Sequence, residues 1–161
     1  MKKILVSALS AILFVSLFAC SAAPSYKTDV AVQTIAAAAE PAISQASNLA
    51  NASDEYLEFF LEVDPALYDD AIVRTPTGAL SIDEYAIFRA KSEADAAAIR
   101  TALETYLTGR RSSWDGRYNA SEKPKLDNAK CFTYGSYVGY TILSQSEETA
   151  FLSALENALR K

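Results

Sequence analysis

The chain has 161 residues, a length typical of one domain, and a formal net charge of −5 at pH 7 from 15 basic and 20 acidic residues. An acidic surface repels phosphate groups, so nucleic acid is not an expected partner. The sequence contains no histidine, which removes the commonest zinc ligand and the commonest general base at neutral pH. These features predict no metal or cofactor and disfavour an enzyme.

The first 19 residues have the pattern of a bacterial signal peptide. Lys2 and Lys3 precede an apolar run over residues 4–18. This run is shorter than the roughly 20 apolar residues that a membrane-spanning helix needs. We therefore expect residues 1–19 to be a signal that is removed from the mature protein.

The end of this segment resembles the lipobox of bacterial lipoproteins, on the residues Leu17, Ala19 and Cys20. The resemblance implies cleavage before Cys20 and a diacylglyceryl group on its sulfur, with palmitate as a typical acyl chain. The alternative is an uncleaved anchor helix that happens to be followed by a cysteine. The lipid bilayer is thus an expected partner, and the expected location is the extracytoplasmic face of the cell membrane.

The segment after the anchor divides into a tether and one domain. Residues 20–28 contain small residues and a proline without an apolar period, so they are predicted to be the lipidated cysteine and a tether. Residues 29–161 are predicted to form a single domain. Asp29 is a candidate cap for a first helix, which Pro41 is expected to kink or break, and Ser53 is expected to begin a second, shorter helix.

Two strands and a long helix are predicted next. Residues 71–75 and 83–91 have the composition and alternation of strands, with a turn signal between them that favours a hairpin. Ser92 is expected to cap the longest helix, whose apolar face is predicted at Ala96, Ile99, Leu103, Tyr106 and Leu107. This helix is predicted to end either at Gly109 or near Asp115.

The pattern of two strands and a helix then recurs. Residues 130–134 and 137–144 are predicted strands joined by a two-residue turn at Gly135, and Ser146 is expected to cap a last helix. Between the two sets, residues 114–127 have no period and are expected to form a loop. The predicted fold is α+β: a four-stranded antiparallel sheet from two strand-strand-helix units, with helices packed on one face and the N-terminal helices as an added layer.

Several of these segments resemble an uncharacterised family. They are residues 84–90, Tyr118 four positions before Glu122, residues 125–129 and the turn at 135–138. Together they resemble the domain-of-unknown-function family DUF4358, a group of small lipoproteins of Gram-positive anaerobes, from Tyr56 to about Leu159. Ala120 replaces an expected proline. The resemblance implies the location and the fold, and it transfers no catalytic residue.

The candidate binding residues fall in two places. Trp114, Arg117 and Tyr118 lie in an arginine-rich stretch after the long helix and have the residue types that dominate binding hot spots. Alternatively, this stretch is a cap in which the aromatic side chains are buried. Tyr137 lies beside Gly139 on one face of the last hairpin, where a ligand's ring or simply another backbone could fill the gap and the face could be open to solvent.

No pattern in the sequence indicates a specific reaction. Asp83 and Glu84 form one of two acidic pairs at strand starts, without the spacing of a calcium loop. Cys131 lies in a predicted strand, which favours a buried and unreactive thiol. The leading hypothesis is therefore a non-enzymatic module that binds an envelope protein or a cell-wall component. The alternatives are an envelope hydrolase that uses carboxylate or tyrosine residues, and a small-ligand sensor.

Overall fold

The computed structural model describes residues 24–115, 117 and 119–161. The predicted signal peptide, Cys20 and Tyr118 lie outside these residues. No helix in the described ranges combines the length and apolar character that crossing a membrane requires.

The centre of the domain is one antiparallel sheet, which confirms the predicted α+β class. The sheet has five strands instead of the predicted four, in the order β1-β2-β3-β5-β4. The strands are β1 Leu49–Asn51, β2 Tyr68–Pro76, β3 Glu84–Ala90, β4 Lys130–Tyr134 and β5 Tyr137–Ile142. The strand missed by prediction is β1, whose three residues pair with the end of β2 and are too short to display an alternating pattern.

In the part of the chain that the structure describes, five α-helices surround the sheet: α1 Val32–Ala39, α2 Asp54–Phe59, α3 Glu93–Ser112, α4 Lys123–Asn128 and α5 Gln145–Leu159. The prediction that helices cover one face only is wrong. Helix α3 packs on one face with α2 and α4, whereas α1 and α5 pack on the other. The physical reason lies in the central strands: in β3, Ala86 and Phe88 point to the α3 side, while Tyr85 and Ile87 point to the α5 side. A strand that is apolar on both faces needs cover on both.

A serine caps each of the two longest helices, one of them at a different position from the prediction. Ser92 caps α3 as expected, and α3 continues through Gly109 to Ser112. Helix α5 is capped by Ser144 and not by Ser146. Partial burial opposes ionisation of Glu147 in the first turn of α5, but hydrogen bonds from Ser144 and Ser44 prevail and lower its pKa to about 2.

Helix α1 is capped from a distance. Its first residue, Val32, donates its backbone N–H to Oδ2 of Asp70 in β2 at 2.9 Å, whereas Asp29 was the expected cap. A carboxylate at this end also complements the helix dipole. The break predicted at Pro41 is confirmed, because α1 ends at Ala39 and a 3₁₀ turn over Glu40–Ala42 follows.

The segment that enters the domain is paired with the end of the chain. Tyr26 forms an antiparallel bridge with Arg160, and its hydroxyl donates to Glu156 at 3.0 Å. The Tyr26 side chain also lies against Gly135 in the β4–β5 turn, where φ is +59°. The residues expected to act as a tether are therefore packed against the domain from Tyr26 onward, at the end of the sheet where β5 begins.

Candidate functional site

A buried carboxylate lies at the start of β3. Glu84 is 1% exposed and faces the α3 side of the sheet. Tyr140 in β5 lies on the same face, because it pairs with Ala86 and side chains two residues apart in a strand share a face. Tyr106 and Arg110 reach Glu84 from α3, where a spacing of four residues places both on one side of the helix. Tyr56 of α2 completes the group, which we call the Glu84 cluster.

The hydrogen bonds of the Glu84 cluster converge on the carboxylate. Tyr106 donates its hydroxyl to Oε1 of Glu84 at 2.7 Å, and Tyr140 donates to the same oxygen. The Tyr56 hydroxyl lies 3.3 Å from that oxygen and 2.7 Å from the Tyr106 hydroxyl. Since each hydroxyl carries one proton and Tyr106 gives its own to Glu84, Tyr56 donates mainly to Tyr106. The three tyrosines therefore form one directed network that ends on Glu84.

Arg110 supplies the opposite charge. One of its terminal nitrogens donates to Oε2 of Glu84 at 2.8 Å and to the Tyr106 hydroxyl at 2.6 Å. The guanidinium also lies over the Tyr106 ring, 5.6 Å from its centroid. Glu84 is almost fully buried whereas the Arg110 side chain is 28% exposed, so the ion pair connects the core to the surface.

The protonation states of the cluster follow from burial. Burial, with the negative charge of Glu84 beside it, raises the pKa of Tyr106 and that of Tyr140 well above the usual value. Burial acts against the charge of Arg110, but the neighbouring Glu84 carboxylate prevails and raises the pKa of the guanidinium. At neutral pH the tyrosines are hydroxyl donors and the arginine is a cation, so the cluster offers hydrogen-bond donors and not a phenolate nucleophile.

A surface groove opens beside this cluster, between α2 and α3. Its volume is about 310 Å³. The residues that line it include Phe59 at the end of α2 and the following Phe60, together with Ala102, Thr105, Tyr106, Gly109 and Arg110 of α3 and Ser113 directly after α3. We call it the α2–α3 groove. Phe59 and Phe60 form one wall of the groove, which we call the aromatic wall. The exposed part of the Arg110 guanidinium also lines the groove.

The two phenylalanines of the groove are unusually exposed. Phe59 is 68% and Phe60 63% exposed. Leu80 is the third large apolar side chain with this exposure in the part of the chain that the structure describes. The Phe60 ring stacks on Tyr56, with ring centroids 5.0 Å apart and planes inclined by 26°. A pair of adjacent exposed aromatic side chains is typical of an interaction site.

The backbone after α2 keeps these phenylalanines outside. Leu61 and Val63 are buried in the core, and Glu62 between them has a φ of +52°. A glutamate in this left-handed region is strained by about 1 kcal/mol or more. The reversal at Glu62 inserts Leu61 and Val63 into the core, while Phe59 and Phe60 remain in solvent. Strained backbone of this kind is common next to functional sites.

A second ion network lies beside the Glu84 cluster. Asp83 is buried and accepts a hydrogen bond from Nζ of Lys125 at 2.6 Å, and Lys125 also donates to Glu122 at 2.8 Å. Glu122 in turn accepts from the backbone N–H of Ile82. These contacts join α4 to the start of β3, which is a structural role. Within the described ranges, no group of three or more His, Cys, Asp or Glu residues is arranged to hold a metal ion.

The predicted residues near the end of α3 are only partly brought together. Trp114 is half-buried and packs against the core on the α3 side, as the capping alternative requires. Arg117 is exposed, and its backbone N–H donates to Asp115 at 3.0 Å. Tyr118 lies outside the described residues. Arg111 of the same stretch donates to the carbonyl oxygens of Leu126 and Ala129 and so joins α3 to the end of α4.

Tyr137 belongs to the core. It is fully buried, and its hydroxyl donates to the Val30 carbonyl at 2.7 Å and accepts from the Val30 N–H at 2.8 Å. The sheet face for which exposure to solvent was one alternative is covered by α1 and α5. The gap at Gly139 is filled by the Ala86 backbone and the Phe132 ring. Tyr137 therefore holds the chain that enters α1 against the sheet.

Sequence reasoning named the parts of the Glu84 cluster without associating them. Glu84 was identified as half of an acidic pair, Tyr106 as a core position of α3, and Arg110 as part of the arginine-rich stretch. Partners of Glu84 are 22 to 56 residues away along the chain. The only local signal is the four-residue spacing of Tyr106 and Arg110. Cys131, which was expected to be buried, is half-buried in β4, and burial with the nearby Glu104 raises the pKa of its thiol to about 11.

The fold and the cluster define a small α+β domain with a buried Glu–Tyr–Arg network beneath an aromatic groove. A family model described as "Domain of unknown function (DUF4358)" matches residues 42–143. This match covers more than half of the chain, so the protein belongs to the DUF4358 family. The matched part contains the sheet, α2, α3 and the whole Glu84 cluster, while α1 and α5 lie outside it. Comparisons with curated proteins and with solved structures found no match.

Proposed function

We propose that this protein is a membrane-anchored lipoprotein that acts as a non-enzymatic binding module of the cell envelope, with the α2–α3 groove as its binding surface. The observation that carries the proposal is the pair of exposed phenylalanines, Phe59 and Phe60, on one wall of that groove. Aromatic side chains contribute large apolar area at interfaces for a small loss of conformational entropy.

The Glu84 cluster supports the groove from below. It fixes Tyr106 and Arg110 on α3 and Tyr56 on α2, and Tyr56 in turn stacks against Phe60. A binding surface held by side chains with few alternative conformations loses less entropy when a partner binds. The buried network thus acts as the rigid support of the aromatic wall.

The place where the N-terminal segment meets the domain favours a groove that faces away from the membrane. Tyr26 contacts the β4–β5 turn, near Arg89 at one end of β3, whereas Glu84 lies at the other end. Five residues of strand at about 3.3 Å each separate these ends by about 17 Å. A lipid on Cys20 would hold the turn nearer to the bilayer than the Glu84 end, which leaves the groove accessible to envelope partners.

The chemistry of the cluster favours binding over the hydrolase alternative. Glu84 is buried and neutralised by Arg110, and the raised pKa values of Tyr106 and Tyr140 keep both phenols protonated at neutral pH. A general base or nucleophile needs contact with substrate. This carboxylate is 1% exposed and already accepts hydrogen bonds from Tyr106 and Arg110, so a positioning role fits it better.

The anchor is tested by Cys20→Ala in the native host. Wild type is expected to incorporate labelled palmitate and to fractionate with membranes. The variant is expected to take up no label and to keep its signal segment, so it migrates as a larger species. Lack of label in wild type would disprove the lipoprotein proposal.

The groove is tested by the double variant Phe59→Ala/Phe60→Ala. Since both side chains are exposed, the free energy of unfolding is expected to change by less than about 1 kcal/mol. Partners captured from intact cells by cross-linking to wild type are expected to be lost from the double variant. Leu80→Ala, which removes a side chain that is 79% exposed outside the groove, is the control and is expected to retain them. Retention of all partners by the double variant would rule out the groove.

A further inference from the structure

We propose that the partner presents a cationic protein segment with apolar side chains, and that the α2–α3 groove binds it. This inference rests on the proposed function and specifies the chemistry of its partner. The evidence is the charge around the aromatic wall, which is distributed very unevenly along the chain.

In the part of the chain that contains the aromatic wall, all the charged residues are acidic. No lysine or arginine occurs between Lys27 and Arg74. Five exposed acids lie within five residues of Phe59 or Phe60 along the chain: Asp54, Glu55, Glu58, Glu62 and Asp64. Glu62 lines the groove itself, whereas Asp54 and Glu58 line a separate depression beside α2. We call these five residues the acidic rim. None of them takes part in a salt bridge with another residue that the structure describes.

Arg110, a cation in the lining of the groove, does not offset this charge. The Arg110 guanidinium is paired with Glu84 at 2.8 Å, so its charge is balanced within the Glu84 cluster. The remaining field at the groove is therefore that of the acidic rim. Complementary potentials accelerate encounter and select among partners, and like charges are rejected. A cationic partner fits the groove, whereas an anionic peptide or an anionic lipid surface is repelled.

The aromatic wall requires that the partner also carry apolar side chains. Phe59, Phe60 and the Tyr106 ring form an aromatic surface, and an apolar side chain that covers it gains free energy by removing this area from water. A small cation would leave this surface in water. An extended or helical segment with alternating basic and apolar side chains satisfies the rim and the wall together.

The test uses three labelled synthetic peptides of equal length. The first alternates Lys and Leu along an amphipathic helix, the second has Glu in place of Lys, and the third has Ser in place of Leu. Binding to the purified domain is measured by fluorescence anisotropy at about 50 mM and about 300 mM salt. Only the Lys–Leu peptide is expected to bind appreciably, and the higher salt is expected to weaken it at least about threefold.

Variants of the acidic rim and of the aromatic wall test whether each contributes to binding of the Lys–Leu peptide. Glu58→Gln/Glu62→Gln is expected to weaken the Lys–Leu peptide at least about fivefold. Glu104→Gln/Asp127→Asn removes two exposed charges that lie away from the groove and is the control, with a change below about twofold. Phe59→Ala/Phe60→Ala is expected to abolish binding. Circular dichroism establishes that each variant is folded.

Three results would overturn the inference. Lack of binding of the Lys–Leu peptide up to about 1 mM would do so, as would equal binding of the Glu–Leu peptide. An unchanged affinity in Glu58→Gln/Glu62→Gln would also reject a cationic partner. In these cases the proposed function still stands if the phenylalanine variant loses its cellular partners. Unchanged peptide binding by Phe59→Ala/Phe60→Ala would instead reject the groove itself, and the proposed function with it.

Discussion

Glu84→Ala is expected to lower the free energy of unfolding by about 3 kcal/mol, because it removes one partner of a buried ion pair. The variant leaves the Arg110 guanidinium without its counter-charge and deprives the Tyr106 and Tyr140 hydroxyls of their acceptor. The partial exposure of Arg110 lets water solvate it, so the loss should lie at the lower end of the range for buried pairs. Urea unfolding followed by circular dichroism measures the change.

The control for this prediction is Glu104→Ala. Glu104 pairs with Arg100 at 2.8 Å on the exposed side of α3, where both side chains are well solvated. Removal of such a pair is expected to cost less than about 0.5 kcal/mol. A loss below about 1 kcal/mol for Glu84→Ala would mean that the Glu84 cluster does not hold α3 against the sheet as the geometry indicates.

Gly139→Ala is expected to destabilise the domain by about 3 kcal/mol or to prevent folding. Gly139 lies in β5, and a Cβ atom there would collide with the carbonyl oxygen of Ala86 and the ring of Phe132. The backbone oxygen cannot move without separating β3, the central strand, from its neighbour β5. Overpacking in such places costs about 1–3 kcal/mol and sometimes more.

Gly109→Ala provides the matched comparison. Gly109 lies within α3, and a Cβ atom there meets nothing within 4 Å. Alanine favours a helix interior over glycine by about 1 kcal/mol, so this variant is expected to be more stable than wild type. Thermal melting of both variants tests the pair. Equal effects of the two substitutions would contradict the packing described around Gly139.

The elements with strong local signals were predictable. The hairpin of β2 and β3, the cap at Ser92 and the turn at Gly135 follow from alternation, capping chemistry and the left-handed φ of a glycine. These signals depend on residues close together in the chain. The predicted apolar face of α3 is likewise buried, at Ala96, Ile99, Leu103 and Leu107.

The features that depend on distant contacts were not predictable. The N-terminus of α1 is capped by Asp70, which is 38 residues away, and no local pattern indicates this. The placement of α3 and α5 on opposite faces depends on how the two hairpins join. The Glu84 cluster needs four elements in their final positions, and the exposed Phe59 and Phe60 have the composition of core residues. Only the fold distinguishes them from Leu61 and Val63, which are buried.

The α2–α3 groove lies within the part of the chain that matches the family. Phe59, Glu84 and Arg110 all fall within residues 42–143, the part that matches the DUF4358 family. Helices α1 and α5, which cover the opposite face, extend beyond it at both ends. We therefore expect the binding surface to belong to the family domain and the added helices to complete its core.

Site-specific photo-cross-linking in the native host is the most direct test of the α2–α3 groove as a binding surface. A photo-reactive phenylalanine analogue replaces Thr105, which is exposed in the groove, or Glu104, which is exposed on the side of α3 away from it. The account predicts a discrete adduct from position 105 that disappears in the Phe59→Ala/Phe60→Ala background, and none of that size from position 104. An identical adduct from both positions, or no adduct from position 105, would contradict it.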